Sequence, residues 1–316
     1  MLSKGAKKVV ATIAVRQREG ARARWRDMPR PQRLRVGGCA AYLLLLILLF
    51  LRPLTRLMAY AAQSSLDSYI LIVPFITVYL LYIERGRYPA MYRSSIAGTV
   101  AMGGIGVAAL AAEIAWRGSL SINDGLALMA LSFVSFVAAG GFLFLGSRWM
   151  AAAAFPVAFL VFMVPLPAAA VNWLEVASAR VSASTAHLLF QVAGVPVSED
   201  GVVLTIPGMT LEVAKECSGI HSSWVLFICS LLTSHLFLRT RWRRIVLVAF
   251  VIPLGILRNG FRILVIGLLC VYVGPYMINS PIHHRGGPLF FALSLIPLFI
   301  LLWWLWHQEQ RLSLTE

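Results

Sequence analysis

Three short stretches of this chain carry side chains able to do chemistry. In the first, AKECSGIHSSW at 214–224, Cys217 stands directly before a Ser-Gly pair and a long apolar run. A helix start offers unpaired N–H groups and a partial positive charge, which stabilise a thiolate and lower a cysteine pKa below its free value of about 8.5. Cys217 is therefore a candidate nucleophile. Ser218 and Gly219 suit that role by capping the helix and leaving room for a substrate backbone. The plainer alternative is a cysteine that packs. In the second stretch, LRNGFRILVIG, Arg258 and Arg262 lie inside a long apolar run, where a guanidinium costs several kcal/mol unless paired or solvated. Arg262 can stabilise an oxyanion or bind a carboxylate. Arg258, one turn deeper, can serve instead or support it, and the bland reading of either is a snorkelling arginine. The third stretch, INSPIHHRGGPLFF, offers His283 or His284 as a general acid/base near neutral pH. His221 competes, one turn after Cys217. Thiol, guanidinium and imidazole together suggest nucleophilic acyl transfer.

Whether these groups can meet depends on the elements that hold them. The chain has 316 residues, 59% hydrophobic and 13% charged, with mean hydropathy +0.79. So little polar surface cannot cover a soluble core, and the chain reads as a polytopic membrane protein. The net charge is +15, but residues 1–35 hold eleven Lys/Arg against Glu19 and Asp27, a contribution of +9. A basic tail ahead of an apolar run marks a cytoplasmic end facing anionic lipid rather than a nucleic-acid surface. Residues 1–35 are thus read as a basic cytoplasmic tail and 36–316 as the transmembrane domain. The basic region is longer than a secretory signal allows, and Arg52 and Arg56 follow the first apolar run, so that run is expected to be retained.

A hydrocarbon core about 30 Å thick takes about 20 helical residues. Spans are expected near 36–51, 68–83, 95–116, 122–145, 150–168, 218–237, 245–275 and 288–306. The basic loops at Arg85/Arg87/Arg93, Arg148 and Arg239/Arg241/Arg243/Arg244 then fall on the side of the N-terminal tail. Both termini are read as cytoplasmic. One long extracytoplasmic segment remains, about 170–216. Leu174, Ala177, Val181 and Leu188 share one helical face opposite Asn172, Glu175 and Ser182, predicting an amphipathic helix. An Asp-Gly and a Pro-Gly turn between β-prone runs predict a small hairpin leading into Cys217. The fold class is an all-α polytopic membrane protein of about eight transmembrane helices with that helix and hairpin outside. Arg262, 18 residues beyond Arg244, then reaches the outer surface, level with Cys217. The run 245–275 can instead be two pieces hinged at Asn259-Gly260, which would carry His283 to the cytoplasm.

Other chemistries find less support. Cys39, Cys229 and Cys270 lie in or beside apolar runs as small buried hydrophobes, and no disulfide partner for Cys217 is evident. There is no His-Glu-x-x-His, paired Cys-x-x-Cys, Walker or Gly-x-Gly-x-x-Gly sequence, so no metal or cofactor is expected. GTVAMGGIG lies in a span, where small residues permit close helix packing.

These stretches resemble the exosortase/archaeosortase family of membrane transpeptidases, across most of residues 60–306 and most densely over 155–291. FPVAFLVFMVPLP is similar to the family's Pro-flanked span, and GVPVSEDGVVLTIPGMTLEVAKECSGIHSS to its hairpin and Cys-Ser-Gly-Ile motif. NGFR is similar to its Asn-x-x-Arg motif and HHRGGPLFF to its His-x-x-x-Gly motif. The resemblance implies a triad of Cys217, Arg262 and His283, the last because Gly287 stands four residues on, whereas His284 would need Gly at Pro288. It implies cleavage of secreted proteins bearing a C-terminal sorting signal: a Pro-Glu-Pro-type motif, a transmembrane helix and a basic tail. Cys217 would form the thioester, Arg262 would hold the oxyanion, and His283 would protonate the leaving amine and later activate an acceptor nucleophile, which stays unidentified. Many bacterial members accompany exopolysaccharide systems. The expected setting is a bacterial cytoplasmic (inner) membrane with the site on its extracytoplasmic face, membrane lipid around the spans and no nucleic-acid partner. The additional C-terminal soluble domain of some relatives is not expected, about ten residues following the last span.

Two rivals stand beside this reading. Helices broken at Pro253 and Asn259-Gly260 around an intramembrane Arg would suit a transporter's anion site, although no internal repeat is evident. A lipid-modifying acyltransferase could use His and Arg without the thiol.

Overall fold

The computed structural model describes residues 29–312 except 65, 90–91, 94, 214–218 and 280–285. The chain divides between Leu166 and Pro167 into two compact units.

In the first unit, α1 (Arg30–Leu49) opens with a proline in its first turn, where a missing N–H costs nothing. An amphipathic α2 (Leu51–Gln63) follows, then a 3-10 turn (Ser68–Leu71) and α3 (Val73–Ile83). Next come α4 (Ile96–Trp116) and α5 (Ile122–Gly140), the latter prolonged by a π turn over Gly141–Leu145. Ser95 caps α4 by accepting from Gly98 N–H, and Ser121 caps α5 by accepting from Asp124 N–H. Where α4 meets α5, a Cβ on Gly98 would stand 2.8 Å from the Phe142 ring and one on Gly106 3.0 Å from Phe136. These glycines of GTVAMGGIG are what let the rings approach. Ser132, fully buried, donates to the bared Gly106 carbonyl at 2.9 Å, so the hydroxyl is satisfied without water. The unit closes with α6 (Ser147–Ala152), α7 (Ala154–Phe159) and a 3-10 turn (Leu160–Met163).

The second unit begins with α8 (Ala168–Val192) and an antiparallel meander of β1 (Ser198–Asp200), β2 (Val203–Ile206) and β3 (Met209–Glu212). Gly201 and Gly208 turn the strands with φ of 64° and 85°, values a side chain would resist. Leu204 pairs with Leu211, and both point into the core with Ile206. Then come α9 (Ile220–Phe237), α10 (Arg241–Tyr272) and α11 (Gly287–Leu312). α10 stays helical through Pro253 and Asn259-Gly260. It is one long rod rather than two hinged pieces, about 48 Å at 1.5 Å per residue. That exceeds the hydrocarbon thickness, and its far end packs on α8 and the sheet: a Cβ on Gly267 would lie 2.4 Å from Phe190 and 3.3 Å from Leu211. Phe190 is fully buried and cannot retreat. Gly267→Ala is therefore expected to overpack this core and cost about 1–3 kcal/mol. Thermal denaturation of the purified chain reads that loss, and an unchanged midpoint would contradict the close approach. At the other end of α10, the Glu309 carboxylate of α11 accepts the backbone N–H groups of Arg239 and Thr240 at 2.9 and 2.7 Å and lies 4.0 Å from buried Arg243.

Among the described residues six helices are long and apolar enough to cross a membrane, α1, α4, α5 with its π turn, α9, α10 and α11, or seven if Ala154–Met163 and Ala168–Val192 make one broken span. The chain is thus a polytopic helical membrane protein with a small sheet. The apolar stretches expected as spans at 68–83 and 150–168 are present as shorter helices joined by 3-10 turns. The expected hairpin gains a third strand, β1. α8 is helical as expected; Val181 and Leu188 of its expected apolar face are exposed on the protein surface, and Ala179, Ser182, Ala183, Ala186 and Phe190 are buried within it. At Gly260 of α10 the two helices come close, a Cβ there standing 2.7 Å from Thr185, and at Gly267 the absent side chain leaves room for the Phe190 ring.

Candidate active site

Of the triad implied by resemblance, Arg262 lies among the described residues. Cys217 and His283 lie outside them, as do Ser218 and His284. The chain between these points can still be followed, because α9 begins immediately after Cys217 and Ser218. Its N-cap is Gly219, at φ 72° and ψ 8°, so the cap position holds a residue with no side chain to donate or accept. His221 sits in the first turn, half-buried.

α10 locks this helix start in place. Arg258 is 7% exposed, and its Nη2 donates to the Gly219 carbonyl at 2.8 Å and to Ser223 Oγ at 2.9 Å. Gly219 and Ser223 are four residues apart and so present both acceptors on one face. Hydrogen bonds to a charged donor contribute about 1.5–3 kcal/mol, which helps offset the cost of holding a guanidinium at this depth. Asn259 is nearer still: a Cβ on Gly219 would stand 2.8 Å from its Oδ1 and 3.1 Å from Arg258 Nη2. A Cβ on Gly255 would meet Ser223 Oγ at 2.7 Å, so the two helices touch over two turns. Any side chain at 219 is thus excluded twice, by backbone conformation and by space. Gly219→Ala is expected to cost about 1–2 kcal/mol for the left-handed backbone and more for the contact, loosening the segment that follows Cys217. Faster hydrogen exchange over the first turn of α9 is the readout, and wild-type protection would contradict it.

Arg262 stands one turn beyond Arg258 on α10, half-buried. From Arg244 to Arg262 the helix rises about 27 Å, close to the thickness of a hydrocarbon core. Arg244 and Arg262 are thus far enough apart along α10 to sit at opposite interfaces, and Arg258 is about 6 Å from Arg262 on the side of Arg244. The two arginines have different surroundings. Arg258 is bound to the backbone that follows Cys217, a supporting position, while Arg262 stands one turn further along α10. An apolar groove of about 280 Å³ runs beside Arg258 between α10 and α11, walled by Leu254, Leu257, Phe261 and Phe290, with Arg258 and Ser294 as its polar groups.

Sequence reasoning missed Ser223 and the specific part of Asn259. Both were visible as polar residues on apolar helices, Ser223 one turn after Gly219. Among the described residues no group of His, Cys, Asp and Glu is placed to hold a metal ion.

Compared with known proteins, the chain finds no match among curated proteins or solved structures. The family model of the transmembrane exosortases matches residues 61–300, a span that includes Gly219, Ser223, Arg258, Asn259 and Arg262 as well as Cys217 and His283. Exosortases are membrane cysteine transpeptidases that act in protein sorting. The chain belongs to the transmembrane exosortase family.

Proposed function

We propose that residues 36–316 form a membrane cysteine transpeptidase that cleaves the C-terminal sorting signal of secreted proteins and passes the shortened protein to a nucleophilic acceptor in the envelope. The family match over residues 61–300 carries this reading. The hold of Arg258 on Gly219, two residues after Cys217, supports it by bringing the chain beside Cys217 close to the turn that bears Arg262. In this scheme the Cys217 thiolate attacks the scissile carbonyl carbon and Arg262 donates to the oxyanion. Collapse of that intermediate breaks the C–N bond, and His283 delivers the proton to the departing amine. The resulting thioester is attacked by the acceptor, whose proton His283 takes. The C-terminal fragment, with its transmembrane helix and basic tail, leaves in the first half, and the thiolate is restored in the second. The basic segment 1–35 lies on the cytoplasmic side of a bacterial inner membrane, and the reacting groups on the other face.

The test is a secreted protein carrying a Pro-Glu-Pro-type motif, an apolar helix and a basic tail, expressed with the chain. Shortening at the motif, abolished when the motif is scrambled with the helix kept, is the expected result. Processing that ignores the motif, or transfer that leaves the signal intact, would overturn the substrate assignment.

A further inference from the structure

The first unit holds a cavity, lined by both polar and apolar side chains, that carries none of the residues assigned to catalysis. It has a volume of about 550 Å³ and lies between α2 and the turn joining α4 to α5. One face of α2 forms a wall, with Arg56, Tyr60 and Gln63 recurring at helical spacing. Leu57 and Ala61, on the neighbouring face, are buried in the bundle and fix the helix rotation. Glu113, Arg117 and Ser121 line the other wall.

The cations here are arranged rather than scattered. Arg117 donates through Nε and Nη2 to the two carboxylate oxygens of Glu113, each at 3.0 Å. That bidentate pair holds the guanidinium plane in one orientation and leaves Nη1 outside it. Arg56 is exposed and makes no hydrogen bond or ion pair among the described residues. The nearby carboxylates of Asp67 and Asp124 already accept from Ser64 and Ser121, both at 2.8 Å. Burial first, and those two carboxylates second, raise the Tyr60 pKa above its ordinary value, so the phenol stays a neutral donor. The lining therefore offers two guanidiniums against the single carboxylate of Glu113, itself neutralised by Arg117.

Its depth is set by the spans. α4 ends at Trp116 and α5 begins at Ile122, both exposed at that end of the bundle. This is the headgroup level, where aromatic side chains gather and where lipid phosphates are densest. Guanidinium forks match phosphate oxygens in geometry and charge. We propose that this cavity is a phosphate-binding site, in which Arg56 and Arg117 grip the phosphate oxygens and Tyr60 and Gln63 donate to them.

Native mass spectrometry of the purified full chain tests the site by titration with short-chain phosphatidylglycerol, phosphatidylethanolamine and inorganic phosphate. The variants are Arg56→Gln and Arg117→Gln, with Arg52→Gln, on the same helix but outside the cavity, as control. Loss of one charged contact should weaken phospholipid binding about tenfold or more in the first two and leave the control unchanged. Lipid displaced by comparable inorganic phosphate assigns a free phosphate, and lipid that resists it assigns a headgroup; either upholds the site. Arg117→Gln strands the buried Glu113 carboxylate and can unfold the turn, so Arg56→Gln is the deciding variant. Wild-type affinity in Arg56→Gln, or no phosphate binding by the wild type, would overturn the proposal.

Discussion

Cys217→Ala is expected to stop processing of a sorting-signal substrate, with a rate loss of about four orders of magnitude or more. Covalent catalysis has no partial form once its nucleophile is gone, and removing a nucleophile commonly costs nearly as much as removing a whole catalytic set. Alanine brings no bulk or charge that would prevent folding, so the variant should reach the membrane at wild-type levels. Full-length substrate accumulating beside a normally inserted variant is the readout. Cys217→Ser refines it, since a hydroxyl fits the same space but is a weak nucleophile at its free pKa. Unchanged processing would return Cys217 to a packing role and bring the transporter and lipid-enzyme readings forward.

The second large effect is expected at Arg262. If its guanidinium donates to the oxyanion, Arg262→Gln should lower kcat by about 10²–10³, with KM little changed, since that contact strengthens as charge develops on oxygen. Arg262→Lys keeps the charge without the fork and should recover part of the loss. Arg258 provides the contrast. Its guanidinium holds the Gly219 carbonyl and Ser223, so Arg258→Gln should lower thermal stability along with processing. Arg262→Gln should lower processing by far more than any accompanying loss of stability accounts for. Equal stability losses in both would mean that Arg262 is structural. A rise in KM with kcat unchanged would mean that it binds substrate uniformly.

The separate roles of these two arginines could not be read from their spacing. Both interrupt an apolar run, and sequence says that each needs a partner but not which. One partner of Arg258 is a backbone carbonyl 39 residues away, and carbonyls carry no side-chain signature; the other, the Ser223 hydroxyl, lies on a different helix. The long spans were legible because twenty apolar residues have few other uses; α4, α5, α9, α10 and α11 begin or end within a few residues of expectation. The turns of the small sheet were legible for a different reason, the left-handed conformation that Asp-Gly and Pro-Gly supply. The residues by which α8 packs on α10 were not. Val181 and Leu188 are exposed on the protein surface, as an apolar face turned to lipid would be, but hydrophobicity gave no sign that Thr185 and Ala186 pack at Gly260 and the Phe190 ring at Gly267. The amphipathic α2 was hidden by its arginines, which marked the end of a span and gave no hint of a further helix.

The thioester itself is the most direct object to measure. The purified enzyme, mixed with a sorting-signal peptide and quenched in acid within seconds, is digested and its Cys217 peptide weighed. Nucleophilic acyl transfer predicts that this peptide carries the mass of the substrate's N-terminal portion, that hydroxylamine removes it, and that Cys217→Ala carries none. Cleavage of the substrate with no adduct at Cys217, and at the same rate in Cys217→Ala, would contradict it.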